Sequence, residues 1–84
     1  MKIGQIVYSI AGRDSGKPFV VVEKTENSIY VVDGKERPVQ RPKRKNPKHI
    51  SATKHCLSEE NFATNRAARK SLREALENDE FKEG

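Results

Sequence analysis

The sequence predicts a small, mainly β domain of about five short strands followed by one C-terminal α-helix. Three features carry that expectation. Residues 1–34 hold short apolar, β-branched runs separated by Gly, Pro, Asp and Asn. A basic, proline-interrupted segment follows. From Ser58 the pattern changes to a thin, alanine-rich helical stripe.

The first strand is expected from Gln5 to Ile10. It runs into the turn-rich segment Ala11 to Pro18, where Gly12 and Gly16 can supply positive φ. Phe19-Val20-Val21-Val22 is apolar on both faces and so belongs in a central strand. Glu26-Asn27 reads as a turn, and Ile29 to Val32 as the third strand. Asp33-Gly34 then gives a hairpin signal. The expected return strand is Glu36 to Gln40, with Val39 as its core candidate and Pro38 restricting it to an edge or an irregular course. Two prolines and dense like charge make Arg41 to Lys48 an expected extended, solvated loop. A last short strand is expected from Lys48 to Thr53, anchored by Ile50.

Ser58 suits a helix N-cap, with Glu59 and Glu60 in the first turn facing the positive helix end. Leu57 and Phe62 have the spacing of a hydrophobic staple. Ala68, Leu72, Ala75 and Leu76 make a stripe that Asn61 and Asn65 extend toward the N-terminus. The expected organisation is a β domain over residues 1–56 with a basic loop at 35–48, a helix over 57–79, and a frayed tail at 80–84.

With 84 residues, 33% of them hydrophobic and no Trp, the chain has material for one small core of modest stability. No apolar run approaches the roughly 20 residues of a membrane span. Met1 to Gly4 shows no hydrophobic signal region, and the single Cys56 leaves no internal disulfide to form. A reducing, cytoplasmic setting is therefore expected.

Charge narrows the function. The net charge is +5, and its distribution is uneven. Residues 1–34 balance to zero, residues 35–57 carry +7, and residues 58–84 carry −2. Solubilising charge is normally mixed in sign, so this concentration marks a surface for a polyanion.

Short strands, tight turns and a long basic loop describe a small SH3-like barrel. Gly4-Gln5-Ile6-Val7-Tyr8-Ser9-Ile10-Ala11-Gly12-Arg13-Asp14-Ser15-Gly16-Lys17 resembles the KOW motif, with Gly4, Val7, Gly12, Gly16 and Lys17 at the positions the pattern asks for. The likeness continues through Val20 to Val22, Val32-Asp33-Gly34 and Arg41 to Asn46, and covers roughly residues 2–55. In this stretch the chain is similar to the KOW barrel of archaeal and eukaryotic large-subunit ribosomal proteins, and to short bacterial ribosomal-protein-like KOW proteins. The resemblance implies an RNA-binding barrel whose first loop and basic edge face nucleic acid.

The residues support the same expectation independently. Glycines between Gly12 and Lys17 let the backbone approach phosphate, and Arg13 and Lys17 flank that surface. Asp14 is placed to hold Arg13 or to accept from a base. Lys35, Arg37, Arg41, Lys43, Arg44, Lys45 and Lys48, with His49 among them, are the main phosphate-contact candidates. Such contacts set affinity and salt dependence rather than sequence choice. The bland alternative is a turn and a loop whose charges are merely solvated. For Phe19 the core reading outweighs base stacking, while Tyr8 and Tyr30 suit either role. On the helix, Arg66, Arg69, Lys70 and Arg73 share a face, for which a solvated surface is the simpler reading than a second RNA contact.

His49, His55 and Cys56 lack the ligand number and spacing of a zinc site, so no metal or cofactor is expected; Cys56 is expected to be half-buried. No carboxylate pair, triad or phosphate-binding loop with Lys-Ser/Thr suggests catalysis, so the chain is not expected to be an enzyme. The expectation is a cytoplasmic, monomeric RNA-binding protein, with ribosomal RNA as partner and ribosomal proteins as further contacts. The competing expectation is a protein-interaction module of the transcription or translation machinery.

Overall fold

The computed structural model describes residues 1–77. The end of the expected helix, residues 78 and 79, and the tail at 80–84 lie outside them. Five strands are present: β1 (Gln5–Ser9), β2 (Pro18–Lys24), β3 (Ile29–Val32), β4 (Lys43–Lys45) and β5 (Ile50–Cys56). One helix, α1 (Asn65–Glu77), follows. Single 3-10 turns occupy Gly12–Asp14, Pro47–His49 and Glu59–Phe62. The strands form one antiparallel sheet in the order β4-β3-β2-β1-β5.

The Phe19 to Val22 run explains the centre of this sheet. Strand β2 is the middle strand, and its residues alternate between two buried layers. Phe19 and Val21 join Val7, Ile29, Val31 and Ile50 on one face. Val20 joins Ile6 and Val32 on the other, where Phe62, Ala68, Leu72 and Ala75 of the C-terminal segment cover it. The helix spends its apolar stripe on the sheet. Leu57 packs against the same layer as Phe62, although no α-helix starts between them, and Val22 and Val39 complete its border.

No helix among the described residues covers the first face, and the sheet shields it by coiling. Strands β4 and β5 are the two edges, yet only residues 46–49 separate Lys45 from Ile50, and three of those form a 3-10 turn. Five residue steps reach at most about 17 Å, and less through a 3-10 turn, whereas five flat strands would span about 19 Å. The edges must curl toward each other. The ladder nevertheless stays open, since β4 pairs only with β3 and β5 only with β1. Register shifts in β2 between Val21 and Glu23 and in β1 between Gln5 and Val7 mark irregularities suited to such bending.

Three expectations about local structure need correction. Glu36 to Gln40 is not a strand. Its backbone donors find side-chain acceptors instead: Asp33 Oδ1 accepts from the amides of Lys35 (2.9 Å) and Arg37 (2.8 Å), and Asn65 Oδ1 accepts from Val39 (2.7 Å). Such local bonding competes with a ladder, and Pro38 has no donor to offer one. The fourth strand is instead Lys43–Lys45, inside the expected loop, where Tyr30 pairs with Arg44 and the prolines at 42 and 47 lie just outside. The helix also begins later than expected. The Ser58 side chain makes no capping bond, and residues Glu59–Phe62 form a 3-10 turn that buries Phe62. Thr64 takes the cap, its Oγ1 accepting from the Ala67 amide at 3.1 Å.

The segment from Asp33 to Gln40 is fixed to the start of α1. Asn65 Nδ2 donates to Gln40 Oε1 (2.9 Å) while its Oδ1 holds Val39, and Gly34 lies against the Asn65 carbonyl and Arg69. Gly34 has φ 79°, and a Cβ there would collide with that carbonyl. Gly12 has a similar φ of 75° but open space around it. Both carry the left-handed backbone penalty of about 1–2 kcal/mol on substitution, and only Gly34 adds a backbone clash. In urea unfolding, Gly34→Ala is therefore expected to destabilise the protein clearly more than Gly12→Ala does.

Candidate nucleic-acid interface

The first loop and the basic segment meet at Asp14. This aspartate closes the 3-10 turn Gly12–Asp14 and is buried despite its charge. Its Oδ2 accepts from Lys45 Nζ at 2.9 Å and from Arg37 Nη2 at 3.2 Å. Arg13, the partner expected from the sequence, is not among its contacts; it is exposed and makes no ion pair among the described residues. The hydrogen bond from Lys45 is the largest influence on the Asp14 carboxyl, and with Arg37 it holds the pKa below the ordinary aspartate value, against burial that pushes it up.

This cluster divides the expected phosphate contacts into two groups. Lys45 and Arg37 are committed inward. The Lys45 side chain is only 12% exposed, and its ammonium lies 5.5 Å from the centre of the buried Phe19 ring. Arg37 is half-buried, and its Nε is buried with no hydrogen-bond partner among the described residues. Lys17 is exposed and pairs with Glu36 at 3.1 Å. Arg44 is exposed and donates from Nε to the buried Ser28 Oγ at 2.9 Å. Its guanidinium is thereby oriented, and it sits across the ladder from the half-buried Tyr30.

The second group faces solvent. Lys35, Arg41, Lys43, Lys48 and His49 are exposed and make no ion pair among the described residues. Lys43 lies on the edge strand, and Lys48 and His49 on the turn Pro47–His49 that connects the two edges. Asn46 fixes that turn by accepting the Lys48 amide at 2.9 Å. Gly12 is exposed at the crest of the first loop. On α1, Arg66, Arg69, Lys70 and Arg73 are also exposed.

Arg13, Asp14, Lys17, Glu36 and Arg37 line a depression of about 330 Å³. Glu36 was not among the expected site residues. It is the only acidic residue in the strongly basic stretch 35–57, a signal the sequence does offer. Cys56 is exposed, not half-buried, because it ends β5 at a sheet edge. Among the described residues no group of three or more His, Cys, Asp or Glu side chains could hold a metal. No helix there is long and apolar enough to cross a membrane. No protein-family model matches this sequence, and no curated protein sequence matches it.

Asp14→Asn is expected to cost about 2–3 kcal/mol in urea unfolding near neutral pH, because it weakens two charge-assisted bonds at a buried site. The depressed pKa sets the pH dependence. The ionised carboxylate contributes its full stability above the unfolded value of about 3.9 and loses it as pH falls through the lower folded value. The stability gap between the wild type and Asp14→Asn should therefore narrow below about pH 4 in thermal melts.

Proposed function

We propose that this protein binds structured RNA through backbone phosphates, as a KOW-type, SH3-like module associated with the ribosome in the cytoplasm. The observation that carries the proposal is the exposed set Lys35, Arg41, Lys43 and Lys48, four cations without a carboxylate partner among the described residues. Stabilising surface charge is ordinarily interspersed with the opposite sign, whereas an excess of unpaired cations is costly until a polyanion neutralises it. Arg44 adds an oriented guanidinium beside Tyr30, a pairing suited to phosphate contact and base stacking.

The coiled sheet of short strands, with a 3-10 turn joining its two edges, is compatible with an SH3-like barrel. The KOW resemblance places Gly12, Arg13 and Lys17 on the nucleic-acid side, and Asp14 brings the basic segment next to them. The protein acts by binding and positioning, and no catalytic step is assigned to it. A protein-interaction role based on a free helix face has less support, because the helix stripe is covered by the sheet.

Comigration with large-subunit particles on sucrose gradients, lost at high salt, together with a discrete ribosomal RNA footprint after crosslinking, is the expected result. Comigration that survives both high salt and ribonuclease would point to a protein partner instead.

The cluster at Asp14 also decides which variants test the interface cleanly. Changing Lys43, Arg44 and Lys45 together would not spare the fold, since Lys45 is part of the buried cluster. The double variant Lys43→Ala, Lys48→Ala removes exposed charge alone. It is expected to weaken RNA binding and to flatten the slope of log affinity against log salt by about 1.4–1.8, at 0.7–0.9 for each lost phosphate contact. Lys45→Ala should instead lower the melting temperature. An unchanged salt slope in the double variant would remove these two residues from the interface.

A further inference from the structure

We infer that the depression between the first loop and the Asp33 to Gln40 segment is a site for one phosphoryl group, and that Glu36 is its internal competitor. The inference rests on the RNA-binding proposal for its biological source, but the site itself is defined by geometry.

Three cations reach this depression from two parts of the chain: Arg13 and Lys17 from the first loop, and Arg37 from the segment fixed to α1. Lys45 adds a fourth charge from below through Asp14. Against these four stand two carboxylates, Asp14 and Glu36, so the cluster retains two positive charges. The carboxylates differ in their circumstances. Asp14 is buried and bound to two cations. The Glu36 side chain is 60% exposed and pairs, among the described residues, with Lys17 alone, itself 47% exposed. Such an exposed pair is weakly held, so Glu36 can swing into water at small cost.

Arg37 supplies the second observation. Its Nη2 is held on Asp14, while its Nε is buried without an acceptor among the described residues. A buried donor in this condition carries an unmet desolvation cost. Arginine is suited to phosphate because its planar fork offers several donors in a fixed geometry. A phosphoryl oxygen entering the depression would take the place of the Glu36 carboxylate beside Lys17, meet the exposed Arg13, and lie within the field of Arg37. A phosphodiester would still leave the cluster positive once Glu36 has turned away. The sequence of events is an exchange of one anion for another on a preset group of cations.

The shared chemistry is a phosphoryl group, supplied by an RNA backbone phosphodiester or by a terminal or free phosphate. The test uses the full chain. Binding of a synthetic RNA hairpin, with and without a 5′-phosphate, is followed by fluorescence anisotropy for the wild type, Glu36→Gln and Arg13→Ala. In parallel, inorganic phosphate is titrated against chloride at equal ionic strength while the arginine Nε–H signals are followed by NMR. Glu36→Gln should bind the hairpin about two- to fivefold tighter, and Arg13→Ala should bind it weaker by a similar factor. Tightening of both hairpins assigns the site to an internal phosphodiester, and tightening of the 5′-phosphorylated one alone assigns it to a terminal phosphate. Phosphate should shift the Arg13 and Arg37 signals saturably where chloride does not. A hairpin bound by the wild type with unchanged affinity in both variants, and arginine signals indifferent to phosphate, would overturn the site while leaving RNA binding intact. No hairpin binding by the wild type, with saturable arginine shifts in phosphate, would uphold the site and refute the RNA proposal.

Discussion

A buried carboxylate organises the charged half of this protein. Asp14 holds Lys45, 31 residues away in sequence, and Arg37, 23 residues away, and thereby ties the first loop to the edge strand and to the segment that follows β3. Burying an aspartate is costly, and the cost is offset only because both partners are charged and within hydrogen-bond distance. Neither cation is freely hydrated: Lys45 rests on Phe19, and Arg37 is half-buried. The same contact makes part of the basic segment structural and leaves the rest at the surface.

The apolar half answers a different constraint. A sheet with hydrophobic residues on both faces needs two covers, and the described residues contain one α-helix. The helix covers the layer around Ile6, Val20 and Val32, and coiling of the sheet covers the layer around Val7, Phe19 and Val21. Coiling brings the edge strands toward each other, and the short connection from Lys45 to Ile50 requires it. The basic turn Pro47–His49 is therefore positioned by hydrophobic burial on the opposite side of the same backbone. Core and charged surface are parts of one geometric solution.

The core was legible in the sequence where periodicity and burial agree. The double-faced run Phe19 to Val22 identified the central strand, Ile29 to Val32 had its observed bounds, and Ala68, Leu72 and Ala75 gave the helix face. What could not be read was the competition for backbone donors. Asp33 and Asn65 are acceptors whose choice of partner depends on tertiary approach, and together they turn the expected strand at Glu36 to Gln40 into an irregular segment. Lys43–Lys45 shows the reverse effect: its residues have weak strand preference, but pairing with β3 and the bond from Lys45 to Asp14 override it. At the candidate site, the cationic residue types were evident from composition. Their division into buried and exposed sets was not, because it turns on one aspartate whose role needs three distant segments in place.

The edge strand β4 has one further property. It is short and spells Lys-Arg-Lys, and its outer side carries no ladder. Exposed strand edges invite pairing with a second copy of the same edge, and charge is the usual safeguard against it. Two such edges approaching one another would bring the exposed Lys43 and Arg44 of each together, four cations in all, and electrostatic repulsion opposes that pairing. The strand that finishes the sheet thus carries its own obstacle to edge pairing, and a substitution chosen to silence its charge would also remove a guard against self-association.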